Sequence, residues 1–526
     1  MKLQTTIFRW LLTLVAMLFL VFQTTVQAED LGKIDFPNSG APEAQENFIK
    51  GVLLLHSFEY WDARDEFKKA QEIDPGFAMA YWGEAMTYNH PIWNGQNKDA
   101  GKSALERLGA TQKDRLAKAP TEREKDLLKA LDIIFLEEGD KLTRDLKYSQ
   151  AMKTLYEKYP DDLEIASFYA LSILGTAQGK RDFRIYMRAG AIASDVFEKN
   201  PLHPGAAHYT IHSFDDPIHA PLGLKAAHVY ADIAPDAPHA LHMPSHIFMA
   251  LGMWDESSST NERSMAAAHK KGQHGLHATW WLTYSYLQQG RYKKAQELID
   301  TVEKKLAASP TRSLRHHLAY MKSAYLVETR DWEAEFYPET LDHSIFRMQA
   351  IASILLAKGL QAVQLEELDN VRTIISDLKS LPAANARYSD EEALPIMIKE
   401  LEASLQLATG LADEAITSLK EAAVLQEAMS YEFGPAIPVK PVYELYGDVL
   451  MELNRPQEAI EAYQKALNRD PLRALSLLGL ARATAAAGDK EASAKAYAEL
   501  KTIWHLADDG LAEMEEVNNN MSYLDR

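Results

Sequence analysis

Two segments near opposite ends of this chain share one spacing of small, aromatic and proline residues. The order glycine, alanine, aromatic, alanine, proline occurs at Gly51, Ala63, Phe67, Ala70 and Pro75. The same order and intervals occur again at Gly447, Ala459, Tyr463, Ala466 and Pro471. Small residues let two helices approach closely, and proline ends the second helix. The spacing therefore predicts strong helix–turn–helix repeats over 44–77 and 440–473.

Weaker copies of this spacing occupy much of the chain between the two strong repeats. Gly252 and Gly290 are placed as in inter-helix turns, in which glycine ends the first helix. Strand patterns are nearly absent, so we predict an all-α fold. We expect an N-terminal linker over 29–45, a repeat array over 46–507 and a C-terminal cap or tail over 508–526. Within the array, 89–103 and 432–441 are predicted loops, and 381–390 is a predicted linker.

The first 28 residues have the pattern of a secretory signal peptide. Lys2 and Arg9 accompany an apolar run from Trp10 to Phe22, and Val26-Gln27-Ala28 fits the small-x-small cleavage rule. The run is short for a membrane span of about 20 residues. We therefore expect an exported protein, periplasmic or secreted, with no stable membrane anchor after cleavage.

Charge and cysteine content narrow the chemistry that is available to the chain. The 526 residues include no cysteine and carry a formal net charge of −19. Without cysteine there are no disulfides, thiolate metal ligands or thiol nucleophiles. A negative surface repels phosphate backbones, so nucleic acid is not an expected partner.

Histidine is concentrated in one part of the sequence, where 11 of the 17 histidines lie between residues 203 and 277. Two His-x-x-x-His pairs, His208/His212 and His242/His246, lie 34 residues apart (242 − 208), which is the length of one repeat. Residues i and i+4 share a helix face, so both pairs are expected to face one groove. Neutral imidazole suits transition metals, so we predict a site for zinc or copper. The predicted ligands are His208, His212, His239, His242, His246 and Asp215.

Two features of this region leave alternatives open. Pro244 lies inside the second pair, so its helix must begin late or kink. Asp215 and His239 could be ligands or could orient the ring of a ligand. Other side chains are predicted to line the groove and contact a partner, although aromatic residues at helical spacing more often pack in a core. These candidates are His56, Trp82, Glu84, His90, His277, Trp280 and Tyr284.

The two strong repeats resemble the tetratricopeptide repeat (TPR) superfamily, and the whole chain resembles a family of exported bacterial TPR proteins. The segments that carry the wider resemblance are Phe77–Trp93, His208–Ala227, His239–Ser257 and a late block from Phe433 through Ser476–Ala483. The resemblance implies a right-handed superhelix of helical hairpins, an α-solenoid, whose concave groove holds a protein or peptide. The histidines are not part of the general TPR pattern, which suggests a function added to the scaffold.

Three functions follow from these patterns and remain open at this point. The first is an exported scaffold that binds a protein or peptide and a transition metal in its groove. The second is a metal-dependent hydrolase or oxidase that uses the same histidines with an open coordination position. The third is a metal-free interaction module. The sequence has no serine-hydrolase, zincin or dinucleotide-binding motif.

Overall fold

The computed structural model describes residues 30–178, 181–334, 346–381, 388–431 and 433–520. One compact unit begins at Leu31 and contains the rest of the chain. Its helices, in chain order, are Gln45–His56, Tyr60–Ile73, Ala78–Met86, Lys98–Leu108, Gln112–Ala117, Glu122–Phe135, Lys141–Lys158, Leu163–Gly175, Phe183–Lys199, Pro204–Phe214, Ala220–Ile233, Pro238–His242, Pro244–Ala250, Trp254–Lys270, Leu276–Gln288, Tyr292–Ala308, Arg312–Thr329, Met348–Gln364, Leu368–Lys379, Tyr388–Ala408, Ala412–Ala428, Val442–Glu452, Pro456–Arg469, Ala474–Ala486, Lys490–Ile503 and Ala512–Asn520. Short 3-10 helices occur at Pro42–Ala44, Pro91–Trp93 and Trp504–Leu506.

The predicted all-α helical-repeat fold is confirmed. Strand structure in the described part of the chain is limited to one antiparallel pair, Asn89–His90 with Gly95–Gln96. No helix among the described residues is long and apolar enough to cross a membrane. The predicted signal peptide, 1–28, lies outside the described residues.

Each strong repeat is a pair of packed helices, and the small residues explain how closely the helices approach. A Cβ atom added at Gly51 would lie 2.8 Å from Cε1 of Phe67. In the second repeat, a Cβ atom at Gly447 would lie 2.7 Å from the ring of Tyr463. Both aromatic rings are buried. Any larger residue than glycine would therefore push the two helices of the hairpin apart.

Several irregular segments are more ordered than their sequence suggests. In the predicted loop 89–103, the β pair is followed by a helix whose first turn is capped by Asn97, since Asn97 Oδ1 accepts from the Ala100 N–H at 3.1 Å. The N-terminal segment packs against the array, where Leu31 and Phe36 are buried. In the predicted linker 381–390, residues 382–387 lie outside the described part, and a helix begins at Tyr388.

Two large hydrophobic cores divide the array in sequence. The first core contains buried residues from Leu31 to Phe248, and the second contains residues from Met249 to Val517. The boundary falls inside the helix Pro244–Ala250, which carries His246. The predicted histidine site therefore lies where the two cores meet, a place where ligand sites commonly form.

Candidate metal centre

The first histidine pair is placed by one regular helix, Pro204–Phe214. Proline at its first position lacks an N–H that would be unpaired there in any case. His203 caps this end, because its Nδ1 accepts a hydrogen bond from the Ala206 N–H at 3.2 Å. The i, i+4 spacing then places the rings of His208 and His212 with centroids 4.9 Å apart and planes tilted by 37°. The predicted shared helix face is present.

The second pair spans a break between two short helices. Pro238–His242 ends and Pro244–Ala250 begins on either side of Met243, because Pro244 has no N–H to continue the helical ladder. Met243 nevertheless keeps a helical backbone conformation. The rings of His242 and His246 consequently stay 5.0 Å apart. The interruption does not separate the two imidazoles.

Six imidazoles form two groups, which we call the first trio and the second trio. The first trio is His208, His212 and His239, and the second trio is His242, His246 and His277. Within each trio, one potential ligand atom per residue lies within 4.8 Å of the others. The trios meet where the rings of His212 and His246 are 5.3 Å apart. Together they are the histidine cluster.

The cluster is buried but reachable from solvent. Four of its members are at most 3 % exposed: His208, His212, His242 and His246. His239 and His277, one in each trio, are partly exposed. Phe58 covers the first trio, with its ring 4.3 Å from that of His208. Trp281 and Phe433 cover the second trio, with ring centroids 4.4 and 5.0 Å from that of His246.

Hydrogen bonds determine which nitrogen of each ring carries a proton in the second trio. Asn261 donates from Nδ2 to the Ser257 carbonyl at 2.8 Å, so its Oδ1 is the atom that faces His242 Nδ1 at 2.7 Å. His242 must therefore donate from Nδ1. His246 Nδ1 lies 2.8 Å from a carboxylate oxygen of Asp215 and must also donate. Both neutral rings are left with a lone pair on Nε2, and these two Nε2 atoms are 3.2 Å apart.

Two members of the first trio, His208 and His212, also direct Nδ1 towards an acceptor. His208 donates from Nδ1 to the carbonyl oxygen of His56 at 2.7 Å. His212 Nδ1 faces Asp215 Oδ2 at 3.3 Å. Among the described residues, the buried Nε2 atoms of His208, His212 and His239 have no hydrogen-bond partner. Buried polar atoms without a partner are rare in native proteins and require an explanation.

Burial disfavours the charged form of five of the six rings, and neighbouring groups keep the Asp215 carboxylate charged. Burial lowers the pKa of His246 to about 4, although Asp215 opposes the shift. Burial also lowers the pKa values of His208, His239, His242 and His277 well below the usual histidine value. Burial alone would raise the pKa of Asp215, but Arg181, His212 and His246 hold it low. Arg181 Nη1 donates to Asp215 Oδ1 at 2.5 Å.

A second buried set, which we call the His56 network, has a different proton arrangement. It consists of His56, Glu164 and His203, all at most 1 % exposed. His56 Nε2 lies 2.8 Å from Glu164 Oε2, and its Nδ1 lies 2.9 Å from the Tyr209 hydroxyl. His203 Nε2 contacts the Ser167 hydroxyl at 3.2 Å and lies 3.0 Å from Glu164 Oε1, while its Nδ1 accepts from Ala206. All four ring nitrogens have protein partners, so no ring lone pair is left for a metal.

The other predicted groove residues are found in several environments. Trp82 is 1 % exposed and packs on Phe36 and Phe168. Glu84 is equally buried and pairs with Arg107 and Gln71. Those side chains, and the buried Tyr284 that accepts a hydrogen bond from Arg473 at 2.7 Å, belong to the interior.

Three predicted groove residues remain accessible. His90 is partly exposed and stacks on Tyr60 with ring centroids 3.9 Å apart. Trp280 is partly exposed beside His277 and stacks on Tyr320 at 4.9 Å. His277 itself belongs to the second trio. The accessible aromatic surface therefore lies next to the histidine cluster.

Sequence reasoning did not identify several residues that shape the cluster. They are Phe58, Arg181, Asn261, Trp281 and Phe433. Trp281 could have been suspected, because it lies one helical turn after His277. Arg181 has several charged neighbours in the sequence and carries no distinctive signal. Phe58 and Phe433 reach the cluster from distant parts of the chain, and Asn261 reaches it from a neighbouring helix.

Comparison with known proteins supports the repeat fold. Residues 447–505 match a family model described as tetratricopeptide repeat. This match supports membership of the chain in the TPR superfamily. None of the curated proteins matches the sequence significantly.

Solved structures of TPR proteins resemble the chain at low sequence identity. A human IFIT1 dimer with m7Gppp-AAAA has a TM-score of 0.37 and 15 % identity, covering 90 % of this chain and 92 % of that one. Yeast Tom70 has a TM-score of 0.31 and 14 % identity over 92 % and 95 % of the two chains. A TPR protein from Parabacteroides merdae has a TM-score of 0.29 and 14 % identity over 55 % and 99 %.

Proposed function

We propose that this chain is an exported TPR scaffold that holds a transition-metal ion at the histidine cluster and binds a protein or peptide partner in its groove. The proposal for the metal rests mainly on one contact, the 3.2 Å separation of His242 Nε2 and His246 Nε2. With both Nδ1 atoms acting as donors, two lone pairs face each other across a short gap. Such an arrangement is repulsive unless a cation lies between the rings.

A metal ion fits this gap better than a shared proton does. Tetrahedral ligands with metal–nitrogen bonds of 2.0–2.1 Å are separated by about 3.3 Å, close to the observed spacing. A shared proton would make one ring an imidazolium, but the pKa of His246 is lowered to about 4. Both rings are therefore neutral at neutral pH. Neutral imidazoles, each oriented by an acceptor on its other nitrogen, are the usual protein ligands of zinc and copper.

Export and the groove partner rest on different observations. The signal-peptide pattern of residues 1–28 supports export to the periplasm or secretion. The partly exposed Trp280 and Tyr320 stack beside His277 supports a partner that contacts the metal region. The net charge of −19 favours a protein or peptide over nucleic acid. A metal-dependent hydrolase or oxidase, and a metal-free interaction module, stay as predictions.

The test is the metal content and thermal stability of natively purified mature protein. We expect a bound transition metal, and we expect zinc at 100 times its Kd to stabilise the stripped protein by about 2.7 kcal/mol. The variant His242→Asn/His246→Asn keeps a donor at both Nδ1 positions but removes both Nε2 atoms. It should lose the ion held between these two rings and respond less to zinc than the wild type does. His228→Asn, at an exposed histidine outside the cluster, should retain the metal and the full zinc response.

One result would remove the metal from the proposal. Wild-type protein that is purified without metal, and whose melting temperature does not respond to zinc or copper, would leave a scaffold with a purely protein function.

A further inference from the structure

We infer that the histidine cluster binds two metal ions, one in each trio, with Asp215 between them as a shared hydrogen-bond acceptor. This inference rests on the proposed metal-binding function. It is carried by the contacts of His212 and His246, one from each trio, with the same oxygen of Asp215.

His212 and His246 turn the same side of their rings towards one atom. Their Nδ1 atoms lie 3.3 and 2.8 Å from Asp215 Oδ2. The two ring planes are nearly perpendicular, at 83°. In imidazole the Nε2 lone pair points away from the Nδ1 side, so the two Nε2 atoms diverge from the carboxylate. His246 Nε2 meets His242, whereas His212 groups with His208 and His239 and its Nε2 has no hydrogen-bond partner among the described residues.

Each trio then has the ligand count of a complete protein site. Three imidazoles with one coordination position left open is the arrangement of many catalytic metal sites. The first trio supplies three buried Nε2 atoms that have no other partner among the described residues. A single ion in the second trio would leave these three atoms unexplained. An ion in the first trio gives each of them a partner.

A competing arrangement would place one ion among His212, Asp215 and His246, whose potential ligand atoms also lie within 4.8 Å of one another. That ion would use the Nδ1 atoms and a carboxylate that already forms a buried ion pair with Arg181 at 2.5 Å. It would lie close to the fixed positive charge of the guanidinium. It would also leave the Nε2 atoms of both trios without partners. The two-ion arrangement avoids both costs.

The charges around the cluster restrict which two metal ions it can hold. Asp215 and Asp216 supply two negative charges, and Arg181, which contacts both, supplies one positive charge. Two divalent ions would leave a large buried positive charge. We therefore expect cuprous ions, or divalent ions that carry hydroxide at their open positions. A pair of open positions on neighbouring ions would suit a small anionic or diatomic ligand.

The experiment counts zinc ions in the full-length mature chain. The chain is stripped with a chelator, loaded with Zn²⁺ alone, desalted and analysed for zinc and protein. We expect two zinc ions per wild-type chain and one in either His208→Asn or His242→Asn, because asparagine keeps the Nδ1-side donor and removes Nε2. The double variant should bind none. His228→Asn should bind two.

The possible results separate this inference from the proposed function. One zinc ion per wild-type chain overturns the two-ion inference and leaves a single metal site. Zero zinc ions overturns the two-ion inference, and it overturns the proposed function as well when copper also leaves the melting temperature unchanged. Loss of both ions in a single variant also overturns the inference, because the trios would then not be separate sites. If an asparagine variant fails to fold by circular dichroism, the partly exposed His239→Ala and His277→Ala replace it with the same expected counts.

Discussion

The histidine cluster and the His56 network are both buried groups of imidazoles that contact a carboxylate, yet they are suited to different tasks. In the network, Glu164 lies within 3.0 Å of both histidines, and every ring nitrogen has a protein partner. In the cluster, Asp215 accepts from the far side of two rings and leaves their Nε2 atoms free. The two groups are alike in burial and in the proximity of their histidines. They differ in the direction of the ring protons, and the proposed metal site rests on that difference.

Removal of the Glu164 carboxylate should have the largest effect on protein stability, and it would sharpen this comparison. We expect Glu164→Leu to destabilise the protein by about 3–5 kcal/mol, because the ring N–H groups of His56 and His203 lose their buried acceptor. Glu164→Gln keeps one acceptor oxygen and should cost less. Urea unfolding measures both. Zinc content should stay at the wild-type value in the glutamine variant, and a loss of zinc there would contradict the separation of the two regions.

An effect of similar size is expected on the stability of the protein in acid, through the His56 network. His203 and His56 oppose the effect of burial and lower the pKa of Glu164 to about 2, from its ordinary value of 4.5. The unfolded chain therefore binds a proton at a higher pH than the folded chain does. The stabilisation is complete above pH 4.5 and is lost as the pH falls towards 2, at about 1.4 kcal/mol per pH unit and about 3 kcal/mol in all.

Comparison of wild-type and Glu164→Gln protein isolates this contribution from other carboxylates. The difference in the free energy of unfolding should shrink between pH 5.5 and pH 3. A difference that is constant over this range would mean that Glu164 is not held charged by the two histidines.

The fold was predictable because the repeat pattern is a direct record of packing. Gly51 and Gly447 face the rings of Phe67 and Tyr463 so closely that no side chain fits. Spacing along one helix likewise predicted the contact of His208 with His212. These features depend on residues that are near each other in sequence, so one sequence is enough to predict them.

The rest of the site depends on contacts that no local pattern contains. Trp82 has the spacing of a groove residue, yet Phe36, from the segment predicted as a linker, packs over it. Asn261 determines the tautomer of His242 from a neighbouring helix. Phe433 reaches His246 from a loop that is distant in sequence. Helix periodicity gives the face of a residue, but it does not show which segment covers that face.

The smallest expected effect tests how the two regions are covered. In the network, the ring of His56 stacks at 4.7 Å on Phe168, which lies in the helix Leu163–Gly175. In the cluster, the ring of His246 stacks on Phe433, which is half-buried and lies outside regular structure. We expect Phe433→Ala to cost about 1 kcal/mol of stability, because one aromatic stack is lost. It should also speed the release of zinc to a chelator, since water gains access to the second trio.

Phe433→Leu is the matched control, because leucine restores apolar cover without the ring. It should release zinc at a rate close to that of the wild type, whereas Phe168→Leu should leave the release rate unchanged. Equal release rates for Phe433→Ala and the wild type would show that the loop does not limit access. Exchange would then have to proceed past His239 or His277, the two partly exposed members of the cluster.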